Sequence, residues 1–256
     1  MKRIAIQIIA LVLFGTSGYS QQWKLAPLEF HGGVAILHYF GDIGGSASES
    51  TMLGLKDINL AKVRPGLILG ARYQFMKVLQ VKGSYTLGVI TQSDLRSRNE
   101  NRNFAFSTLI NELTVSAEYY IIPESDENYY YSIMRMRGGF RHFRQPLSLY
   151  VSLGAGGVHF ATRALADFKD SPRFDNSHSF ALVIPAGIGI KYAIMPSISV
   201  GAGLNLRYTS TDYLDGFTSL FSDFNDVYYS FDIKLNYKIQ TTRKRNVGAP
   251  RRKFFF

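Results

Sequence analysis

No cysteine occurs anywhere in the 256 residues. That excludes disulfides, thiolate zinc sites, a cysteine nucleophile and a lipid-modified N-terminal cysteine. Long apolar runs are missing beyond the first twenty residues, and the mean hydropathy is close to zero at -0.02. No membrane helix is therefore written into the remainder of the chain. If it crosses a bilayer, it must do so as a closed barrel, because lipid leaves the backbone no other way to satisfy its polar groups. Acidic residues are few, 19 against 29 Lys and Arg, for a formal net charge of +10. Glycine-rich phosphate loops and clusters with metal-ligand spacing are also absent, so no metal or cofactor is expected.

What the chain does have is aromatic residues, glycine and alternation. There are 16 Tyr, 19 Phe and 23 Gly. The clearest segment is Val227–Ile239, VYYSFDIKLNYKI, in which every odd position is apolar from Val227 to Ile239. A period of two over this length predicts a strand with one apolar face and one polar face, long enough to cross a bilayer at a tilt. Seven other segments carry the same signal: Phe30–Phe40, Val63–Phe75, Val78–Ile90, Phe104–Tyr120, a glycine-rich Leu147–Phe160, Phe180–Tyr192 and Ile198–Tyr208. Short links around FMKV and AIMP alternate with long polar links, 41–62, 91–103, 161–179 and 211–226. An even strand count with short turns on one side and long loops on the other predicts an all-β, eight-stranded, antiparallel up-and-down transmembrane β-barrel. One link departs from the rule: 121–146 should be a short turn, yet it exceeds twenty residues.

The N-terminus supplies a compartment. A basic MKR, an apolar IAIQIIALVLFG and small residues at Gly18 and Ser20 predict a signal peptide over 1–20. The barrel is then expected over 21–240 and a basic periplasmic tail over 241–256. Alternation alone does not say which face looks outward, since a soluble barrel of lipocalin type alternates too. The polar faces decide, because they are small rather than densely charged: Ser84, Thr86 and Gly88; Thr114 and Ser116; Gly187 and Gly189; Ser199, Gly201 and Gly203. Such faces suit the cramped interior of an eight-stranded barrel. The larger polar residues on them, Arg72, Lys82, Glu112, Glu118, Lys191, Arg207, Asp232 and Lys234, are of both signs. They predict a salt-bridged interior network that leaves no pore. Tyr73, Tyr119, Tyr192, Tyr208 and Tyr237, near strand ends, fit aromatic girdles.

Several strings taken together resemble an outer-membrane β-barrel family of Bacteroidetes that includes the PorG component of the type IX secretion system. They are HYFGDIGG, RPGLILGARYQF, NFAFSTLINELTVSAEYY, FALVIPAGIGIKY and NLRYTSTDYLDGFT. The resemblance covers nearly all of the chain after the signal segment. It implies a non-enzymatic barrel in the outer membrane, with both termini in the periplasm. Its implied role is to dock a periplasmic secretion ring built from a lipoprotein and a soluble partner. The long 121–146 link and the basic tail depart from that family pattern.

Two basic stretches are the candidate docking residues. The tail holds Arg243, Lys244, Arg245, Arg251, Arg252 and Lys253 without an acid, and the long link holds Arg135, Arg137, Arg141 and Arg144. Basic and aromatic residues together suit an acidic protein partner or lipid headgroups, and nucleic acid is not expected for a secreted barrel. The alternative is a small structural or adhesive barrel acting through its external loops. Asp212, Asp215, Asp223 and Asp226 in the last of those loops read as a solvated acidic surface without EF-hand spacing. A third class, an outer-membrane hydrolase, would need a nucleophile beside His38 or His159, the latter two with Asp42 as a possible partner. No paired motif supports it.

Overall fold

The alternation reported above is realised as eight strands in a computed structural model that describes residues 27–40, 43–44, 62–95, 100–124, 146–195, 197–217 and 225–239. They are β1 (Leu28–Phe40), β2 (Arg64–Gln74), β3 (Leu79–Ser93), β4 (Phe104–Ile122), β5 (Leu147–Ala166), β6 (Phe180–Met195), β7 (Ile198–Thr209) and β8 (Val227–Ile239). Every neighbour pair is antiparallel, and β8 returns to β1 with Leu28 opposite Ile239 and Phe40 opposite Val227. The barrel is closed, so it has no free edge.

The expected strands are all present, and several run further than the sequence pattern indicates. β5 continues six residues past Phe160 to Ala166, and β3 three residues past Ile90 to Ser93. With β4 they form a taller wall at the long-loop end, topped by a 3-10 turn at Asp167–Asp170. The expected 161–179 loop is correspondingly shorter. Alternation weakens there because the outward residues turn from apolar to polar, which blurs the period without ending the strand.

Which face looks outward is settled by the side chains. Leu69, Leu113, Leu153 and Leu182 point outward and are 60–64% exposed, as part of an apolar belt that runs around all eight strands. On the alternate positions, Glu118 and Asp232 are fully buried. Soluble monomers rarely expose contiguous apolar patches beyond a few hundred Å². A continuous belt of this kind has lipid as its solvent, and the barrel is a transmembrane one.

The interior has two zones. Toward the short-turn end it is polar and charged. Toward the long-loop end it is a hydrophobic core of Leu37, Ile90, Phe106, Ile110, Phe160 and Val183 with their neighbours. This second zone corrects the expectation of a uniformly small and polar interior. Its cause is the change of outer solvent: where the wall rises out of lipid, the ordinary rule of apolar inside returns. Close approach of backbones also matters at Gly33 on β1, where a Cβ would lie 2.0 Å from the Ile233 carbonyl oxygen of β8. The closing seam therefore accepts no side chain there.

Candidate functional site

Eight residues were expected in the interior charge network, and the structure places all of them on the inward face, buried. Their pairing follows from register. Arg72 on β2 lies between Glu29 on β1, whose carboxylate it bonds, and Glu118 on β4, with Nε 2.7 Å from Glu118 Oε2. Glu118 also takes Lys82 Nζ at 2.8 Å, and Glu29 takes Lys191 Nζ at 3.0 Å. Arg72 further donates to Asn236 Oδ1 at 3.0 Å. One cluster thus ties β1, β2, β3, β4 and β6 through alternating charges and reaches β8 through Asn236.

Two smaller pairs sit beside it. Arg207 Nε is 2.6 Å from Glu112 Oε2, which also accepts the Tyr228 hydroxyl. Lys234 Nζ is 2.7 Å from Asp232 Oδ1, and Asn205 Nδ2 donates to Asp232 Oδ2 at 2.6 Å. Aromatic rings close the packing: Tyr120 and Tyr150 lie 5.3 Å apart, with Lys191 over the first and Arg72 over the second. In a low-dielectric interior, buried charges persist only when paired, and these are.

Sequence reasoning missed Glu29, which falls before the strand start it assigned. It also missed Lys238, which bonds Glu124 just beyond β4. That second pair pulls the chain after Ile122 beneath the barrel, beside a polar cleft lined by Gln74, Gln80 and Lys191. Continuing the first segment's period back by one residue would have placed Glu29 on the inward face, and Lys238 already lies on the polar face of Val227–Ile239. The ten candidate docking residues, Arg135, Arg137, Arg141, Arg144, Arg243, Lys244, Arg245, Arg251, Arg252 and Lys253, lie outside the described residues. The signal segment and Asp42 do so as well.

The long-loop end carries a folded cap. Leu214 and Phe217 insert into the hydrophobic zone, and Thr108 and Thr162 both donate to the Leu214 carbonyl, at 2.8 and 3.1 Å. Asp94 accepts from Arg102 Nε at 2.7 Å and from the Gly44 amide at 2.9 Å, binding the first and second loops together. Asp226 Oδ2 accepts the Leu214 amide at 2.8 Å, while Oδ1 accepts the Tyr39 hydroxyl. Asp215 and Asp226 are therefore buried, which corrects the expectation of a solvated acidic loop for these two. Burial, then the nearby Asp215 and Asp212 carboxylates, hold the Asp226 carboxyl well above its ordinary range.

Of the histidines, His31 lies in the interior with Nε2 3.2 Å from Ser84 Oγ, and His38 is buried. His159 faces outward, opposite Asn111 on β4 and Phe180 on β6. Neither neighbour is a nucleophile, so the lipid-face hydrolase arrangement is not assembled at His159. Among the described residues no group of three or more His, Asp or Glu is placed to hold a metal.

Residues 65–234 match the model of a family described as a domain of unknown function, DUF6089. No curated protein matches the sequence. Among solved structures, Neisserial surface protein A is similar, at 13% identity and a TM-score of 0.47, over 84% of this chain and 98% of that one. OprG from Pseudomonas aeruginosa is 12% identical with a TM-score of 0.43, over 84% and 96%. Ail, the attachment invasion locus protein of Yersinia pestis, is 14% identical with a TM-score of 0.41, over 84% and 99%.

Three outcomes are expected. Replacing Arg72 by Leu removes the bridge between two buried carboxylates, leaving each with a single lysine partner, and should cost about 3 kcal/mol, read as a lower urea midpoint for the refolded barrel in micelles. The intact protein in planar bilayers should give no discrete conductance steps, because its lumen is filled by paired side chains. For the cap, the raised carboxyl gives the sign. The protonated form is the one the folded cap favours, so stability is full below the ordinary aspartate pKa and falls as pH rises toward the raised value. Hydrogen exchange at 211–217, corrected for its intrinsic pH dependence, should accelerate with rising pH in the wild type and lose that dependence in Asp226→Asn.

Proposed function

This chain belongs to the DUF6089 family, and for it we propose a non-enzymatic outer-membrane anchor: a sealed barrel that holds docking segments in the periplasm. Barrels of this type keep their short turns on the periplasmic side. That orientation puts the β2–β3 and β6–β7 turns, and both chain ends, in the periplasm.

One observation carries the reading. β4 ends at Ile122, β5 starts at Leu147, and β8 ends at Ile239, all at the short-turn rim, where Leu28 also begins β1. Both basic stretches, 135–144 and 243–253, are joined in sequence to strand ends at that rim. Ten cations on segments tethered to one rim would suit an acidic partner, which they would attract over several ångströms beyond contact. The interior supports the same reading by subtraction, since a lumen filled with paired charges offers no path for solutes.

The finer reading names the partner. The strings HYFGDIGG, NFAFSTLINELTVSAEYY and NLRYTSTDYLDGFT resemble the Bacteroidetes barrels that include PorG, and with them comes a type IX secretion ring of a lipoprotein and a soluble protein. A second reading, adhesion or envelope support through the opposite end, draws on the cap, whose described residues form a built surface.

One experiment separates them. The full-length protein is recovered in mild detergent from native membranes, and its companions are identified by mass spectrometry. Removing 243–256 and replacing Arg135, Arg137, Arg141 and Arg144 by Ala should lower recovery of periplasmic ring proteins about tenfold or more and impair secretion. Unchanged recovery with both changes in place would discard the docking role. Loss of function on changing the cap alone would favour the second reading.

A further inference from the structure

The outward face of the barrel is apolar over most of its height, with one interruption. On adjoining strands β3, β4 and β5, five polar side chains face out in a single stripe: Tyr85, Asn111, Ser107, His159 and Arg163. Register sets them together. Asn111 is directly opposite His159, and Ser107 is directly opposite Arg163. The Tyr85 hydroxyl reaches diagonally to donate to Asn111 Oδ1 at 2.9 Å.

The stripe lies at the upper margin of the lipid belt. Asn111 is eight residues along β4 from Tyr119, an outward tyrosine near the short-turn rim. At about 2.5 Å of height per residue in a tilted strand, Asn111 stands roughly 20 Å above it, within an apolar band of about 25 Å. Arg163 is twelve residues along β5 from Val151, the register partner of Tyr119. It stands roughly 30 Å up on the same arithmetic, at headgroup height. The inner lining changes from charged to apolar in the same zone, between Glu112 and Ile110 on β4.

The lower members of the stripe are not in open water. Leu109 and Leu113 flank Asn111 on its own strand, and Phe180 and Leu182 flank His159, all exposed outward. Polar groups set among lipid-facing apolar ones need partners, or they cost free energy. Tyr85 meets the Asn111 oxygen. No described residue takes the Asn111 Nδ2 or either ring nitrogen of His159, and no described acid pairs with Arg163.

We propose that this stripe is a binding site for the phosphate-bearing headgroup of an outer-leaflet glycolipid. Arg163 would hold the phosphate from headgroup height. The Ser107 hydroxyl, opposite Arg163, would take a phosphate oxygen beside it, and the His159 imidazole and the Asn111 amide would take sugar hydroxyls below. Acyl chains would then lie along Leu113, Leu109 and Leu182. Which leaflet supplies the lipid rests on the orientation proposed above; the chemistry of the site does not.

The test uses the full-length protein in detergent micelles, where no leaflet exists, so a wrong orientation would leave its outcome unaffected. Bisphosphorylated lipid A is titrated in and bound lipid is counted by native mass spectrometry, with the same lipid stripped of phosphate as the comparison. The wild type should retain the phosphorylated lipid about tenfold more tightly than His159→Leu/Arg163→Leu, and Arg163→Lys should keep most of the binding. Both variants change outward-facing residues only, and heat-modifiable gel migration checks that they fold. Equal retention by wild type and double variant would overturn the site. So would equal retention of the dephosphorylated lipid, or displacement by an equal concentration of inorganic phosphate, which would make the ligand a free anion.

Discussion

Everything else in this barrel depends on Glu118 and Glu29 holding three cations between them. Arg72 bridges the two carboxylates, Lys82 completes one and Lys191 the other. An eight-stranded barrel is too narrow to hold water in bulk, so its lumen must be filled by its own side chains. Filling it with alternating charges makes each residue's position conditional on its neighbours, because any unpaired member would be a bare charge in a dry interior. The arrangement seals the barrel, fixes the relative heights of β1, β2, β3, β4 and β6, and makes the lumen a strut. Whatever the protein does is thereby displaced to its ends and its outer surface.

The change of solvent along the barrel axis explains the rest of the architecture. Where lipid surrounds the wall, leucines face out and charges face in. Higher up, Phe106, Phe160 and Val183 turn in while Ser107 and Arg163 turn out. The same strands obey two opposite burial rules within one continuous ladder. The cap depends on this reversal, since Leu214 and Phe217 could not insert into a charged lumen.

The fold was legible in the sequence because a period of two is a property of backbone geometry and survives in every strand that separates two solvents. Val227–Ile239 reads the same in both. The upper part of β5 was not legible: beyond Phe160, alanines and a threonine surround Arg163, and neither face contrasts with its surroundings. The charge network was legible as a set of inward residues, whereas its pairings were not. Arg72 is far from Glu118 in sequence, and only the register of three strands brings them to 2.7 Å. Burial of Asp215 and Asp226 was hidden for another reason. A carboxylate in a polar loop reads as solvated unless the loop is known to fold back, and the tyrosine that receives Asp226 lies at the far end of the chain on β1. The ten candidate docking residues stand only as a pattern of charge along the chain, since they lie outside the described residues.

The seam between β1 and β8 gives the network a further meaning. Glu29 belongs to the first strand, and Asn236, Lys234 and Asp232 to the last, so the charges of the lumen are complete only when the two ends of the chain meet. A barrel still lacking its final strand would show lipid a torn ladder of amides and leave Arg72 without its Asn236 acceptor. For this protein, then, entry into the bilayer and closure of the ring amount to one event. Half a barrel has no solvent in which it is at home.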